Sequence, residues 1–197
     1  MRRVGNFGWF LMGFLLFALG ERAFERRYSR QASRGECRME WSYRLLHSLH
    51  LIIYVSTAAE YFLVKPRIEW FVTAPAILLF IVSVVIRLIA IHTLGKFWSL
   101  QLEIRQEHKL ICDGIYRFVR HPAYLAIMIE VLAIPLVANA YFTCALALAV
   151  YVPVLLLRWR REEAEMIRQL GDVYVQYCCE VPAFVPLRPL LRRLCRK

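Results

Sequence analysis

No Gly-x-Gly-x-x-Gly run occurs in the chain, and its 197 residues hold only eight glycines. That excludes the phosphate-binding turn of a soluble Rossmann-type domain. The six cysteines, Cys37, Cys112, Cys144, Cys178, Cys179 and Cys195, show no Cys-x-x-Cys spacing and mostly lie on the side read below as cytosolic. Neither a disulfide framework nor a metal site is therefore expected. Internal repeats and low-complexity linkers are missing too, which leaves one domain's worth of sequence. A leader-cleavage site of small residues is also lacking. The apolar stretch after Arg2 and Arg3 runs instead into Glu21-Arg22-Ala23-Phe24-Glu25-Arg26-Arg27, so we expect it to be retained.

What the chain has in abundance is apolar sequence, 59% of all residues, too much for an ordinary soluble domain. Five stretches are candidate spans: Phe7–Leu19, Leu45–Val64, Phe71–Leu94, Tyr124–Val137 and Tyr141–Leu157. The fourth is short and contains Pro135, which a membrane helix can absorb, and pairing with the fifth satisfies its backbone. The expected fold is therefore all-α, a polytopic membrane protein of about five transmembrane helices with a cytosolic extension after the last.

Charge orients these spans. Seven Lys and Arg residues lie in Glu21–Arg44, five in Gly95–Arg120 and nine from Arg158 onward, leaving Arg2, Arg3, Lys65 and Arg67 on the other side and Arg87 inside a span. The positive-inside rule then puts the C-terminus in the cytosol. The formal charge of +11 reads as topology and contact with anionic headgroups rather than nucleic-acid binding, because the basic residues are spread over loops held at the membrane surface. The chain is expected to sit in an inner membrane if prokaryotic and in the endoplasmic reticulum if eukaryotic. Arg87, an intramembrane ion, calls for a partner: Glu60, Glu130 or a substrate.

Composition shifts at Gly95. Residues 1–94 read as a transmembrane scaffold of three spans, and 95–197 as the region carrying chemistry. The alternation Phe97-Trp98-Ser99-Leu100-Gln101-Leu102-Glu103-Ile104-Arg105 fits an extended segment at the interface. Asp113-Gly114 signals a turn, and His121 or Pro122 begins the fourth helix. Nothing terminates the fifth before Arg158, so it should run on to Leu170 and end at Gly171. Arg158 and Glu162, and likewise Arg161 and Glu165, then share a helical face. The basic tail from Arg188 to Lys197 should lie on the membrane.

Each polar residue has an ordinary explanation: a histidine at a helix start, a snorkelling Arg120, aromatic-belt Tyr116 and Tyr124, a solvated Glu162-Glu163 face. Together they do not, because a hairpin of spans four and five brings its two ends to about 10 Å, making His121 and Arg158 neighbours. Carboxylates, arginines, imidazole and phenols would then meet at the edge of the hydrocarbon. Such a pocket suits a charged ligand from the cytosol and a lipophilic one from the bilayer.

The ordered run His108-Lys109-Leu110-Ile111, Gly114-Ile115-Tyr116, Arg120-His121-Pro122-Ala123-Tyr124, a hairpin, Arg158-x-x-x-Glu162-Glu163 and Gly171-x-x-Tyr174-x-x-Tyr177 closing on Val181-Pro182 resembles the isoprenylcysteine carboxyl methyltransferase family. The likeness covers about 80 residues. It implies S-adenosylmethionine bound by Gln101, by His108, Lys109, Leu110 and Ile111, by Tyr116, by His121, Pro122, Ala123 and Tyr124, and by Glu162. Arg158 would face a lipophilic methyl acceptor. Ile111 stands where the family has valine, and Ala126 where a glycine is common. A carboxylate acceptor needs no base and would be oriented by Arg158, whereas a phenol or thiol would need one, for which Glu163 and His121 are candidates. Two rivals stay open: a nicotinamide-dependent membrane reductase, and a non-catalytic transporter or scaffold, for which ionisable groups belong at the midplane rather than at one interface.

Overall fold

Helices dominate the computed structural model, which describes residues 2–31, 36–38, 40–95, 102–104 and 110–185. Each of the five apolar stretches falls within one. We label these α1 (Arg2–Gln31), α2 (Glu40–Val64), α3 (Trp70–Leu94) and α4 (Pro122–Val137). A fifth, α5, runs through Tyr141–Leu170, and a short α6 follows at Asp172–Glu180. Among the described residues, Asn6–Glu25, Trp70–Leu94 and Tyr141–Leu170 are long and apolar enough to cross a membrane, and α4 is a shorter apolar helix. The 25 residues of α2 carry more polar groups, yet Val55, Phe62 and Leu63 stand exposed along it. Trp9, Phe71 and Phe142 are likewise exposed on α1, α3 and α5, an apolar exterior suited to lipid.

Of the expected extended segment, Leu102–Ile104 is described and is a strand. Glu36–Arg38 pairs antiparallel with Leu102–Ile104, Cys37 opposite Glu103, while the rest of 97–105 lies outside the described residues. Helix boundaries follow local chemistry. Gly95 and Gly171 end α3 and α5 at φ of 51° and 56°, where a glycine costs least. Gly114, at φ of 57°, opens a tight turn (Gly114–Arg117) against Thr93, whose side chain would lie 3.0 Å from an added Cβ.

Two cores sit between the helices. Phe7, Leu11 and Leu15 of α1 pack with Tyr54, Tyr61, Phe80 and Ile134, and Leu46 and Ile53 of α2 pack with Val131, Ala147, Tyr151 and Leu155. The α4–α5 turn is built on Asn139 at φ of 54°. Its Oδ1 accepts from the Glu69 amide at 2.6 Å, and its Nδ2 donates to Thr73 Oγ1 at 2.9 Å and to the Leu136 carbonyl at 3.0 Å. Glu60 of α2 then accepts from the amides of Phe142 and Thr143 at 3.1 and 2.7 Å, satisfying donors that the first turn of α5 leaves open. Glu60 is thus committed to α5. Further along, Ala147–Tyr151 forms a π turn just before Pro153, which has no amide to donate into the ladder.

Arg87 finds its partners inside the bundle. It donates to Glu130 of α4 and to Glu21 of α1, with Nε 3.2 Å from Glu21 Oε1, and both Arg87 and Glu130 are wholly buried. Arg22 donates to Glu130 at 3.0 and 2.7 Å and to Glu25 at 2.8 Å. Tyr54 donates to Glu130 at 3.4 Å, and His50 Nδ1 lies 3.1 Å from the Tyr151 hydroxyl. Helices α1 to α5 all contribute to this network. Glu21 and Arg22, read from sequence as loop charges, belong to α1, which continues to Gln31 and turns them inward.

Candidate active site

The hairpin sets the N-terminus of α4 beside the C-terminal half of α5. Arg120, just before α4, directs Nε and Nη2 at Glu163 Oε1, 3.0 and 2.7 Å away, and His121 Nε2 lies 3.1 Å from the same oxygen. Burial opposes the charge on Arg120, but the hydrogen bond and charge of Glu163 outweigh it and hold the guanidinium above its ordinary value. Arg120 Nη1 also donates to the Cys178 carbonyl at 2.9 Å and to that of Val181. The Arg120 and His121 amides donate to Pro182 and Ala183 at 2.9 and 3.0 Å. These contacts fasten 178–183 along the mouth of the hairpin.

A second set joins Tyr124 of α4, about one turn beyond His121, to Arg158 and Glu162 of α5. Tyr124 donates its hydroxyl to Glu162 Oε2 and accepts from Arg158 Nε at 3.1 Å. Arg158 Nη1 reaches Ser42 Oγ of α2 at 3.3 Å. The side chains of His121, Trp159 and Phe184 form an aromatic wall beside it, with Trp159 and Phe184 rings 4.8 Å apart and His121 and Tyr124 rings 5.6 Å apart. Trp159 Nε1 is buried with no hydrogen-bond partner among the described residues.

Tyr116 sits near this set. Burial, and then the negative charge of Glu162, hold its phenol above the usual range, while its backbone carbonyl accepts from Tyr177 at 2.6 Å. Tyr174 and Tyr177 pack with Val181 and Leu110, so the Gly-x-x-Tyr-x-x-Tyr motif serves to anchor the floor. Burial, and then the charge of Glu163, push the Tyr174 phenol upward too.

Of the residues picked from sequence, Tyr116, His121, Tyr124, Arg158, Glu162 and Glu163 therefore converge, although 37 positions separate His121 from Arg158. Pro122 and Ala123 form the first turn of α4, and Leu110 and Ile111 lie in the segment leading to the Gly114 turn. Gln101, His108 and Lys109 lie outside the described residues. Arg161 is set over the Trp41 ring at 5.2 Å, and Glu165 accepts from Arg168 at 2.8 Å. Sequence reasoning missed Ser42, Trp159 and Phe184. Trp159 adjoins the Arg158 motif and carried a signal; Ser42, in the scaffold half, carried none. No cluster of metal ligands occurs among the described residues.

This architecture is that of an α-helical membrane protein with one polar site at the open end of a helical hairpin. Residues 76–168, just under half of the chain, match the family model described as isoprenylcysteine carboxyl methyltransferase (ICMT). It is 34% identical to a protein-S-isoprenylcysteine O-methyltransferase of Schizosaccharomyces pombe over 43% of this chain and 36% of that one. To protein-S-isoprenylcysteine O-methyltransferase B of Arabidopsis thaliana it is 32% identical over 52% and 53%. The chain thus spans about half or less of these two enzymes. YpbQ of Bacillus subtilis, an uncharacterized protein, is 25% identical over 79% of this chain and 94% of its own length. The fold is similar to the solved structure of the eukaryotic intramembrane Ras methyltransferase ICMT, with a TM-score of 0.57 and 19% identity over 72% of this chain and 52% of that one.

Proposed function

We propose that this protein is an integral membrane methyltransferase that moves a methyl group from S-adenosylmethionine to a lipophilic acceptor, an isoprenylcysteine-like carboxylate above all. The observation that carries this reading is the chain of contacts Arg158–Tyr124–Glu162, which puts a cation for an acceptor and an anion for a donor on either side of one hydroxyl. We take residues 95–197 as the catalytic region, 1–94 as scaffold, α1 to α5 as spans, and the C-terminus as cytosolic.

The residues present fit the donor. S-adenosylmethionine supplies, when bound, an electrophilic methyl on a sulfonium. Glu162 would hold its amino group or ribose, the His121, Trp159 and Phe184 rings would give its adenine an apolar wall, and Trp159 Nε1, unpartnered among the described residues, has a hydrogen to donate. Gln101, His108, Lys109, Leu110, Ile111, Tyr116, Pro122, Ala123 and Tyr124 are proposed as the rest of the cradle. Arg158 would orient the acceptor carboxylate, already a nucleophile at neutral pH, so that alignment and a partly dry surrounding carry most of the rate.

Calorimetry of the purified protein with S-adenosylhomocysteine, run beside Glu162→Ala and His121→Ala, tests the reading. We expect binding by the unaltered protein and losses of about tenfold or more in each variant, one charge-assisted hydrogen bond's worth. No binding by the folded, unaltered protein overturns it. Radiolabelled methyl transfer to a prenylcysteine analogue should then fall by about 100-fold in Arg158→Ala, as expected when a bidentate charged contact is lost.

A further inference from the structure

Tyr124 stands between the two half-sites with a single proton. Its hydroxyl donates to Glu162 and accepts from Arg158 at 3.1 Å, so in the free protein that proton is committed to the donor side. Arg158 is itself held in place from α2 by Ser42 at 3.3 Å. The carboxylate of an acceptor held by Arg158 would lie against the same hydroxyl, since Tyr124 shares the Nε edge of that guanidinium. Two carboxylates would then compete for one hydrogen.

We propose that Tyr124 couples the two ligands, its hydroxyl passing from Glu162 to the acceptor's carboxylate when the donor occupies Glu162. The inference rests on the methyltransferase reading above and adds to it a residue that makes binding at each half-site favour binding at the other. The physical cause is competition. An ammonium or ribose hydroxyl on Glu162 satisfies that carboxylate, weakens its claim on Tyr124, and frees the hydrogen for the acceptor. Reciprocity is required by thermodynamics: an acceptor that draws Tyr124 away leaves Glu162 open and raises its affinity for the donor equally. Tyr124 is thereby a positioning residue whose loss changes how the two affinities depend on each other. A buried hydroxyl serving only to pack α4 against α5 would leave that dependence alone.

The test uses S-adenosylhomocysteine, which lacks the sulfonium charge and so removes that group's attraction for the acceptor's carboxylate. Its affinity is measured by calorimetry with and without a saturating prenylcysteine analogue bearing a free carboxylate. In the unaltered protein we expect the analogue to tighten binding about fivefold or more, the lower end of ordinary coupling between sites. In Tyr124→Phe each ligand should still bind alone, and the tightening should fall to less than twofold. Unchanged coupling in Tyr124→Phe, or none in the unaltered protein while both ligands bind, overturns the proposal. A second measurement needs no variant: the methyl ester of the same analogue, which competes weakly for the proton, should bind the unaltered protein without tightening S-adenosylhomocysteine. Equal coupling by ester and acid would overturn the proposal even if Tyr124→Phe failed to fold. No binding of S-adenosylhomocysteine at all would instead remove the reading on which the coupling rests.

Discussion

A carboxylate oxygen that already receives three donors is a poor place to put a substrate's proton. Glu163 Oε1 is in that position, held by Arg120 Nε and Nη2 and by His121 Nε2. As a general base it would have to give up these bonds; as a clamp it needs only to keep them, and through Arg120 it holds the Cys178 and Val181 carbonyls. Substitution separates the two roles. Glu163→Gln keeps an oxygen for Arg120 and removes the charge. We expect the KM for S-adenosylmethionine to rise by about tenfold with kcat lowered by less than that, as positioning requires. Steady-state methyl transfer with a prenylcysteine analogue measures both, and a fall in kcat of about 100-fold or more at unchanged KM would mark Glu163 as a base instead.

At the scale of elements, the hairpin depends on its far end. Asn139 supplies three hydrogen bonds and accepts a positive φ, so its replacement can be divided into two costs. Asn139→Gly loses only the bonds, about 2 kcal/mol at roughly 1 kcal/mol each with partial replacement by water. Asn139→Ala adds the left-handed conformation, about 1 kcal/mol more. Chemical denaturation in detergent should show this order, and equal losses would mean that the turn relaxes. What the sequence disclosed follows the same division. The long apolar helices, the end at Gly171 and the approach of the α4 start to Arg158 could be read because apolar length, glycine placement and hairpin geometry are local properties, although the contact is made by Tyr124 rather than by His121, which turns to Glu163. Asn139 carried no signal of its turn, and Glu60 read as a candidate partner for Arg87 rather than as a cap on α5, since the true partners Glu69, Thr73, Phe142 and Thr143 are fixed by how three separate helices pack. Ser42 was hidden for the same reason: nothing in its neighbours announces Arg158.

For the whole molecule the buried ion network decides whether the helices form one body. Glu130 takes bonds from Arg22 of α1, Tyr54 of α2 and Arg87 of α3, so it ties three helices to α4 at one point without exposure. Such a joint contributes little net stability when intact, because desolvating its charges costs nearly as much as their attraction returns, yet breaking it is expensive. Glu130→Ala leaves Arg87 and Arg22 without their shared carboxylate, and we expect about 3–5 kcal/mol of destabilisation. The double variant Arg87→Met with Glu130→Leu removes one charge of each sign, keeps the space filled and leaves Arg22 paired to Glu25, so it should be more stable than Glu130→Ala alone. Thermal unfolding in detergent gives the order. Because neither Arg87 nor Glu130 is among the described hydrogen-bond partners of the Arg158–Tyr124–Glu162 set, the folded fraction of the double variant should bind S-adenosylhomocysteine as the unaltered protein does. A double variant less stable than Glu130→Ala would mean that the ions specify the packing of the five helices, and that apolar volume cannot take their place.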